Sequence, residues 1–435
     1  MNRRKASPFP LLLAALLVLA AGGARADQVW ILAADRDAAE ARIEVALAAR
    51  QELLASYFII GDDPLSLTSL TLLRSAARRG VQVKLLVDWE WSHIPPAVAD
   101  HLRDQGVEIR EYHPFRLDRL GWLFRRMHDK LLIGDGRELI VGGRNIESTY
   151  FGLGAQVRSR NYLDLDLRLR GEAAGEARRY FLALWASREV RPLLPTTPAA
   201  ARAAAGRGLD VHQAWLDARI AAARADPGRV AEAPLEVGEA RFLHDPIGRK
   251  RPSRGVGHEL LELLGCAHGS AVVESPYLIP SLAFRRGLKA ALGRGVAVRI
   301  LTNSLASTDN LFAQAGYVGK KRGLVRQGVE IWEYQGPDCL HSKAAVIDGE
   351  TVIVGSFNLD PRSEFLNTEV ALSFRSPALG SELLRLFDDH LRNARRIDRR
   401  GYPEGATEPF PGIPRSKVFR LRLLQLLAPF LERQL

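Results

Sequence analysis

Cysteine is nearly absent. Cys266 and Cys339 are the two such residues among 435, too few to staple a scaffold of this length. They could pair in an oxidising compartment, but nothing in the sequence brings them together. Long apolar runs are missing too: beyond the first 26 residues no stretch approaches the ~18 uninterrupted apolar residues of a spanning helix. The chain's repeated histidine motif lacks the His/Cys/carboxylate spacing suited to zinc, and there is no clear aromatic-and-basic strand on which bases would stack. Lysine is scarce, 9 residues against 52 arginines, so a lysine recurring at one position of a repeated motif carries weight.

The N-terminus is more informative. Arg3, Arg4 and Lys5 precede an apolar stretch from Leu11 to Ala21, and Ala24-Arg25-Ala26 precedes Asp27. These are the three parts of a secretory signal, with an apolar run too short for an ordinary spanning helix. Cleavage after Ala26 is expected, with retention as an N-terminal anchor as the alternative. Cleavage removes four basic residues and no acidic ones, taking the net charge from +11 to +7. That balance suits anionic lipid and nucleic acid about equally. The 47% hydrophobic content over this length suffices for two globular cores rather than one.

A duplicated motif organises the chain. His128-Asp129-Lys130 with Asp135, and His341-Ser342-Lys343 with Asp348, both read His-x-Lys-x4-Asp and lie 213 residues apart. At the same offset, Gly142-Gly143-Arg144-Asn145 matches Gly355-Ser356-Phe357-Asn358. One such motif is expected by chance roughly once in a hundred chains of this composition, and two far less often.

The repeat continues upstream. Leu72–Asp88 and Leu288–Asn303 each read as a helix end, an Arg-Gly stop and a buried strand. Gln105–Tyr112 (QGVEIREY) answers Gln327–Tyr334 (QGVEIWEY). Helix then strand, twice per half, predicts an α/β class with mixed, largely parallel sheets. Each motif reads as a hairpin, turning at Gly136 and at Gly349. The period is domain-sized, which predicts two similar domains at 27–190 and 236–400, a connector at 191–235, and a tail at 401–435 carrying an amphipathic helix.

Cleaving a phosphodiester needs a nucleophile, an acid for the leaving alkoxide and donors for the equatorial oxygens. The doubled motif has all three. One histidine attacks phosphorus to give a phosphohistidine, and the other protonates the leaving oxygen and later deprotonates the incoming hydroxyl. One imidazole must then be neutral while the other is charged. Lys130, Lys343, Asn145 and Asn358 supply cations and hydrogen bonds for the transferring group, so neither metal nor cofactor is called for. Each half also has a later strand carboxylate, Asp164 and Glu369, suited to accept from Nδ1 and fix a tautomer.

These residues resemble the phospholipase D superfamily, over nearly all of the chain after residue 26. The resemblance implies two pseudo-twofold related α/β/α sandwich domains with one site at their interface. It implies His128 as nucleophile and His341 as acid/base, with His128 paired to Glu369 and His341 to Asp164 across the halves. Asp135 and Asp348 would be buried structural members of the catalytic motif. Gly143 and Ser356 would lie among the substrate contacts, Ser356 through its hydroxyl.

The runs Thr302–Asp309, Gly355–Ser363 and Leu366–Glu369, with His113-Pro114-Phe115-Arg116 and Asp245-Pro246, are similar to bacterial cardiolipin synthases of this type. The branch that joins phosphatidylethanolamine to phosphatidylglycerol is the most similar. Asp129 departs from the Arg or Lys that many synthases carry there.

The resulting expectation is a monomeric phosphatidyltransferase at the outer face of the cytoplasmic membrane. Its partners would be phosphatidylglycerol, phosphatidylethanolamine and the membrane surface, without nucleic acid. A hydrolase of phospholipids and a secreted nuclease of the same superfamily are the enzymatic alternatives, and a silent lipid-binding protein is the non-enzymatic one. Arg116–Arg126 (RLDRLGWLFRR) reads as an interfacial lip or a packing helix. Lys417–Leu435 reads as a helix docked on the core or on a membrane surface.

Overall fold

The computed structural model describes residues 27–113, 124–225, 233–248 and 254–427. The expected signal segment 1–26, most of the Arg116–Arg126 run and the last eight residues lie outside these. The first half contributes β1 (Asp27–Leu32), β2 (Glu52–Tyr57), β3 (Gln82–Asp88), β4 (Val107–Tyr112), β5 (Lys130–Gly134), β6 (Glu138–Gly142), β7 (Tyr162–Leu163), β8 (Asp166–Arg170), β9 (Val190–Pro192) and β10 (Leu235–Val237). The second contributes β11 (Arg241–His244), β12 (Ser270–Glu274), β13 (Ala297–Asn303), β14 (Glu330–Tyr334), β15 (Cys339–Leu340), β16 (Ala344–Ile347), β17 (Thr351–Gly355), β18 (Val370–Arg375) and β19 (Ala394–Arg396).

Two mixed sheets result, β10-β1-β8-β6-β5-β2-β3-β4-β9 and β11-β18-β17-β16-β12-β13-β14-β19. From β1 and β11 onward they share one strand order. Within these two sheets parallel pairing is confined to β2-β3-β4 and its counterpart β12-β13-β14, where helices supply the crossovers; β7 and β15 form a separate two-stranded parallel pair. Every other ladder in the two sheets is antiparallel, so the sheets are not largely parallel. The reason lies in the motifs: each is the first strand of a hairpin, β5-β6 or β16-β17, and a short turn can join only antiparallel strands.

Helices cover both faces of each sheet. Asp35–Ala48 and Pro64–Arg78 bury Val45, Leu70 and Leu73 against the outer face of the first sheet, with Leu53, Leu85 and Leu132. Leu264, Leu288 and Leu324 do the same in the second half, from the helices Val256–Cys266, Leu282–Gly293 and Leu311–Gln327. The inner core is shared: Leu131, Ile133, Phe181 and Trp185 of the first half lie in one apolar cluster with Val346, Val354, Phe374 and Phe387 of the second. Burying one apolar face across the pseudo-twofold axis fixes the halves against each other without a disulfide. Cys266 is exposed, Cys339 is buried, and both are free thiols.

The segment read as a connector is largely built into the first half. β9 pairs with β4 and β10 with β1. The intervening helix Ala199–Ala225 buries Leu209 and Leu216 in the first outer core. The buried Arg74 guanidinium donates to the carbonyls of Gly206 and Leu209, both at 3.3 Å. Among the described residues no helix is long and apolar enough to cross a membrane.

Candidate active site

Each motif histidine stands two residues before its lysine, at the edge of a strand that runs down into the shared core. The backbone holds both histidines against the opposite half. His128 N–H donates to the carbonyl of Thr368 at 3.1 Å, and Thr368 N–H donates to that of Arg126 at 2.8 Å. In the other copy β15 pairs with β7 across the interface, and His341 N–H donates to the carbonyl of Leu163 at 2.7 Å. The segment carrying each histidine therefore lies beside the segment carrying the other half's carboxylate.

The side chains follow. His128 Nδ1 is 3.0 Å from Glu369, and His341 Nδ1 is 2.5 Å from Asp164. With Nδ1 engaged, Nε2 of His128 is left for the cleft that both histidines line, while Nε2 of His341 lies 3.1 Å from Lys343 Nζ. This cleft, about 530 Å³ in volume, lies between the halves and is also lined by Asn145 and Asn358.

The two carboxylates are unequal. Burial pushes Asp164 up, but His341 and Lys343 beside it hold its carboxyl at about 2. Burial dominates at Glu369, whose carboxyl sits at about 7 despite the opposing pull of Lys130 and Ser356. Burial also drives His128 well below its ordinary value, reinforced by Lys130, Lys343 and His341. His341 is lowered by burial and by Lys343, but Asp164 pulls it back up. The site thus holds one imidazole strongly biased to neutrality and another with a fully ionised partner to stabilise its cation.

Both lysines are buried. Lys130 Nζ donates to the His128 carbonyl at 2.7 Å and lies 5.3 Å from the centre of the Phe58 ring. Lys343 Nζ is 2.7 Å from His341 Nδ1 and also contacts the His341 carbonyl. Burial lowers Lys130 to about 7, and burial also lowers Lys343. An anionic phosphodiester would relieve this crowding of cations.

Asn145 is a wall residue: its Oδ1 accepts from Ile59 N–H at 3.2 Å and its amide donates to the Tyr150 hydroxyl at 2.9 Å. Asn358 lines the cleft, with its Oδ1 buried and unpartnered among the described residues.

Four expected site residues stand elsewhere. Ser356 is fully buried behind Glu369, to which its hydroxyl donates at 2.5 Å, so it supports the carboxylate instead of touching substrate. Gly143 is not a substrate contact either. A Cβ there would lie 2.0 Å from an Asp164 oxygen, so the missing side chain is what admits the carboxylate.

Asp135 and Asp348 lie at the far ends of β5 and β16, roughly 20 Å along the chain from the histidines. At φ 51° and 53° they make the hairpin turns. Asp135 accepts backbone N–H bonds from Arg50, Gln51 and Glu52, and Asp348 accepts from His268, Gly269 and Ser270. Asp135 is half-buried and Asp348 is exposed, so neither is the buried carboxylate expected. Each clamps the start of the neighbouring strand.

Asp129, the departure from the synthase pattern, is fully buried. It accepts from the Tyr180 and Thr368 hydroxyls, both at 2.7 Å, and ties the strand carrying Glu369 to the first half.

Sequence reasoning missed Tyr150, Tyr162, Tyr277, Asp309 and Arg362, which all line the cleft. Tyr150 and Tyr162 stack at 4.3 Å and both meet the His341 ring edge-on. The Asp309 carboxylate accepts from the Tyr162 and Tyr277 hydroxyls at 3.2 and 3.0 Å. One signal could have found part of this set: ligand sites lie beyond the carboxyl ends of parallel strands, and Tyr277 and Asp309 follow β12 and β13. Among the described residues no group of three or more His, Cys, Asp or Glu side chains is placed to hold a metal ion.

This fold, with a histidine from each half converging on one cleft and a buried lysine beside each, defines a phospholipase D-superfamily enzyme. The chain belongs to the family described as "Cardiolipin synthase, PLD-like domain", which it matches over residues 43–185 and 260–391. It is 31% identical over 416 residues to cardiolipin synthase C of Escherichia coli K12, covering 84% of this chain and 85% of that protein. It is 29% identical over 393 residues to cardiolipin synthase A of Pseudomonas entomophila L48, covering 88% and 71%. In fold it is similar to the crystal structure of phosphatidylserine synthase from Haemophilus influenzae Rd KW20, with a TM-score of 0.67 at 13% identity over 94% of this chain and 95% of that one.

Proposed function

We propose that this enzyme transfers a phosphatidyl group from one phospholipid to a hydroxyl of another, with cardiolipin as the principal product. His128 Nε2 attacks phosphorus, the bond to the head-group oxygen breaks, and His341 delivers a proton to the departing alkoxide. The acceptor hydroxyl then gives its proton to His341 and attacks phosphorus, and the phosphorus–nitrogen bond breaks to free His128. Lys130, Lys343 and Asn358 hold the equatorial oxygens.

The observation that supports the reading is the crossed pairing of each imidazole with a carboxylate of the other half, His341 Nδ1 2.5 Å from Asp164 and His128 Nδ1 3.0 Å from Glu369, and the electrostatics of the two carboxylates favour different roles. Asp164, at about 2, stabilises an imidazolium at His341, while Glu369, at about 7, gives His128 less help to become charged. That suits His341 as acid and His128 as nucleophile. Phosphatidylglycerol is the proposed donor and acceptor, with phosphatidylethanolamine as an alternative donor. The signal-like first 26 residues and the basic charge support work at the outer face of the cytoplasmic membrane. Water reaching the same intermediate would give phosphatidic acid.

The test is the purified full chain given phosphatidylglycerol with and without phosphatidylethanolamine, scored by mass spectrometry. Cardiolipin that forms with or without chelator is expected. Phosphatidic acid alone would remove the transfer claim, and turnover of DNA only would remove lipids as substrates. Wild-type enzyme quenched during turnover in denaturant at alkaline pH, where a phosphorus–nitrogen bond survives, should carry the labelled phosphatidyl group on His128, and label on another residue would overturn the role assignment.

A further inference from the structure

The helix Arg415–Leu427 (RSKVFRLRLLQLL) has apolar side chains on two faces. One face is accounted for: Leu421 is fully buried, and Val418 and Leu424 pack against the second outer core. The other is not. Phe419, Leu423 and Leu426 are 69%, 54% and 69% exposed, with Leu427 beside them at 49%. At about 100° per residue these four fall within roughly 100° of the helix circumference. Arg415 and Arg422 project along one border of that stripe and Arg420 along the other, and the helix holds no acidic residue.

An apolar stripe bracketed by cations on both sides, without a compensating acid, is poorly suited to a protein core. It fits an anionic bilayer surface, into which the apolar face sinks while the guanidinium groups reach phosphates. Its position adds to this. The helix packs on Leu311–Gln327, whose first residues Leu311, Phe312 and Ala313 line the cleft. Burial and the Arg160 guanidinium nearby lower the Lys417 ammonium. Arg160 in turn donates to the carbonyls of Ala306 and Ser307, in the loop that carries Asp309 to the cleft.

We propose that Arg415–Leu427 is the element that docks the enzyme on anionic phospholipid bilayers, with Phe419, Leu423 and Leu426 inserted and Arg415, Arg420 and Arg422 at the head groups. The inference rests on the lipid-transfer reading of the cleft, which the helix would hold against the surface its substrates come from.

Two variants of the full chain test it: Phe419→Ser/Leu423→Ser/Leu426→Ser and Arg420→Gln/Arg422→Gln. All five positions are exposed, so neither variant removes core packing. Binding is read by co-sedimentation with phosphatidylglycerol vesicles and with phosphatidylcholine vesicles, and turnover with bilayer and with monomeric short-chain phosphatidylglycerol. Wild type should prefer phosphatidylglycerol vesicles and lose binding as salt rises. The triple variant should bind them at least roughly tenfold more weakly and lose bilayer turnover in step, and the arginine variant should lose the preference for anionic vesicles. Turnover of the monomeric lipid should be unchanged in both.

Vesicle binding by the triple variant at the wild-type level would overturn the proposal. So would a wild-type dimer in sedimentation that the triple variant dissociates, because the stripe would then be covered by a second copy. Vesicle binding that depends on the helix, in an enzyme turning over neither form of the lipid, would instead remove the transfer reading and leave the docking surface standing.

Discussion

At the scale of residues, the site is a problem in charge. Four groups able to carry positive charge, His128, Lys130, His341 and Lys343, are buried together, with Asp164 and Glu369 as the carboxylates in hydrogen-bond contact with the imidazoles. The unequal response of those two gives the mechanism a pH signature. A productive encounter needs His128 neutral and His341 protonated, so kcat/KM should be bell-shaped, with loss of the His341 proton setting the alkaline limb. Burial and Lys343 lower the His341 pKa, and Asp164 opposes them. Replacing Asp164 by Asn removes an anion beside the imidazolium, which lowers that pKa further and should move the alkaline limb to lower pH. Glu369→Gln acts on His128 and should leave the alkaline limb in place while lowering kcat by about a hundredfold or more through loss of ring orientation. Equal displacement of the limb in both variants would contradict the division of roles. Full pH profiles on monomeric short-chain lipid are the measurement.

At the scale of elements, the duplicated motif unites two functions at opposite ends of one strand. Its His lines the cleft with its Lys buried against the histidine carbonyl, and its Asp, five residues beyond the lysine, ends the strand in a turn. Burial raises the Asp348 carboxyl, but the three backbone N–H bonds it accepts, at 2.7 to 3.0 Å, outweigh this and hold it below the ordinary range. Asp348→Ala should therefore destabilise the fold by roughly 1–3 kcal/mol while kcat at a temperature well below melting stays within about twofold. Denaturant titration with parallel kinetics checks this, and a collapse of kcat in a folded protein would return Asp348 to the chemistry. The contribution of Asp348 to stability should also be lost as pH falls through its lowered folded-state pKa, and be fully present above the unfolded value. The motif spacing is set by strand length, which is why residue order alone reveals a strand, a turn and a returning strand. The periodic strands and the hairpins are legible because each depends on neighbours in sequence. The sheet order is not, because β5 inserts next to β2 and makes most of each sheet antiparallel through a long-range choice. The roles of Ser356 and Gly143 are hidden for a similar reason. Their positions match in the repeat, but whether a side chain faces the cleft or the back of a carboxylate depends on its surroundings in space, where Asp164 is one methylene shorter than Glu369. The tyrosines around the histidine of the second copy lie outside the repeat and give no periodic signal.

At the scale of the whole molecule, the two halves are interdependent. Both motif histidines pair with a carboxylate across the interface, the Asp129–Thr368 hydrogen bond crosses it again, and one apolar cluster draws on both sheets. Neither half by itself holds a nucleophile, an acid and both orienting carboxylates, so one chain should contain one complete site. Complementation can test this, because His128→Ala and His341→Ala remove catalytic residues from different halves. If the site is built within a chain, mixing the two inactive proteins should give no more turnover than the mean of the pair, even after joint unfolding and refolding. If halves were exchanged between chains, joint refolding would place an intact His128 opposite an intact His341 in about one site of every four and restore activity in that proportion. The shared inner core favours the first outcome, since separating the halves would expose Phe181, Trp185, Phe374 and Phe387 to water at once.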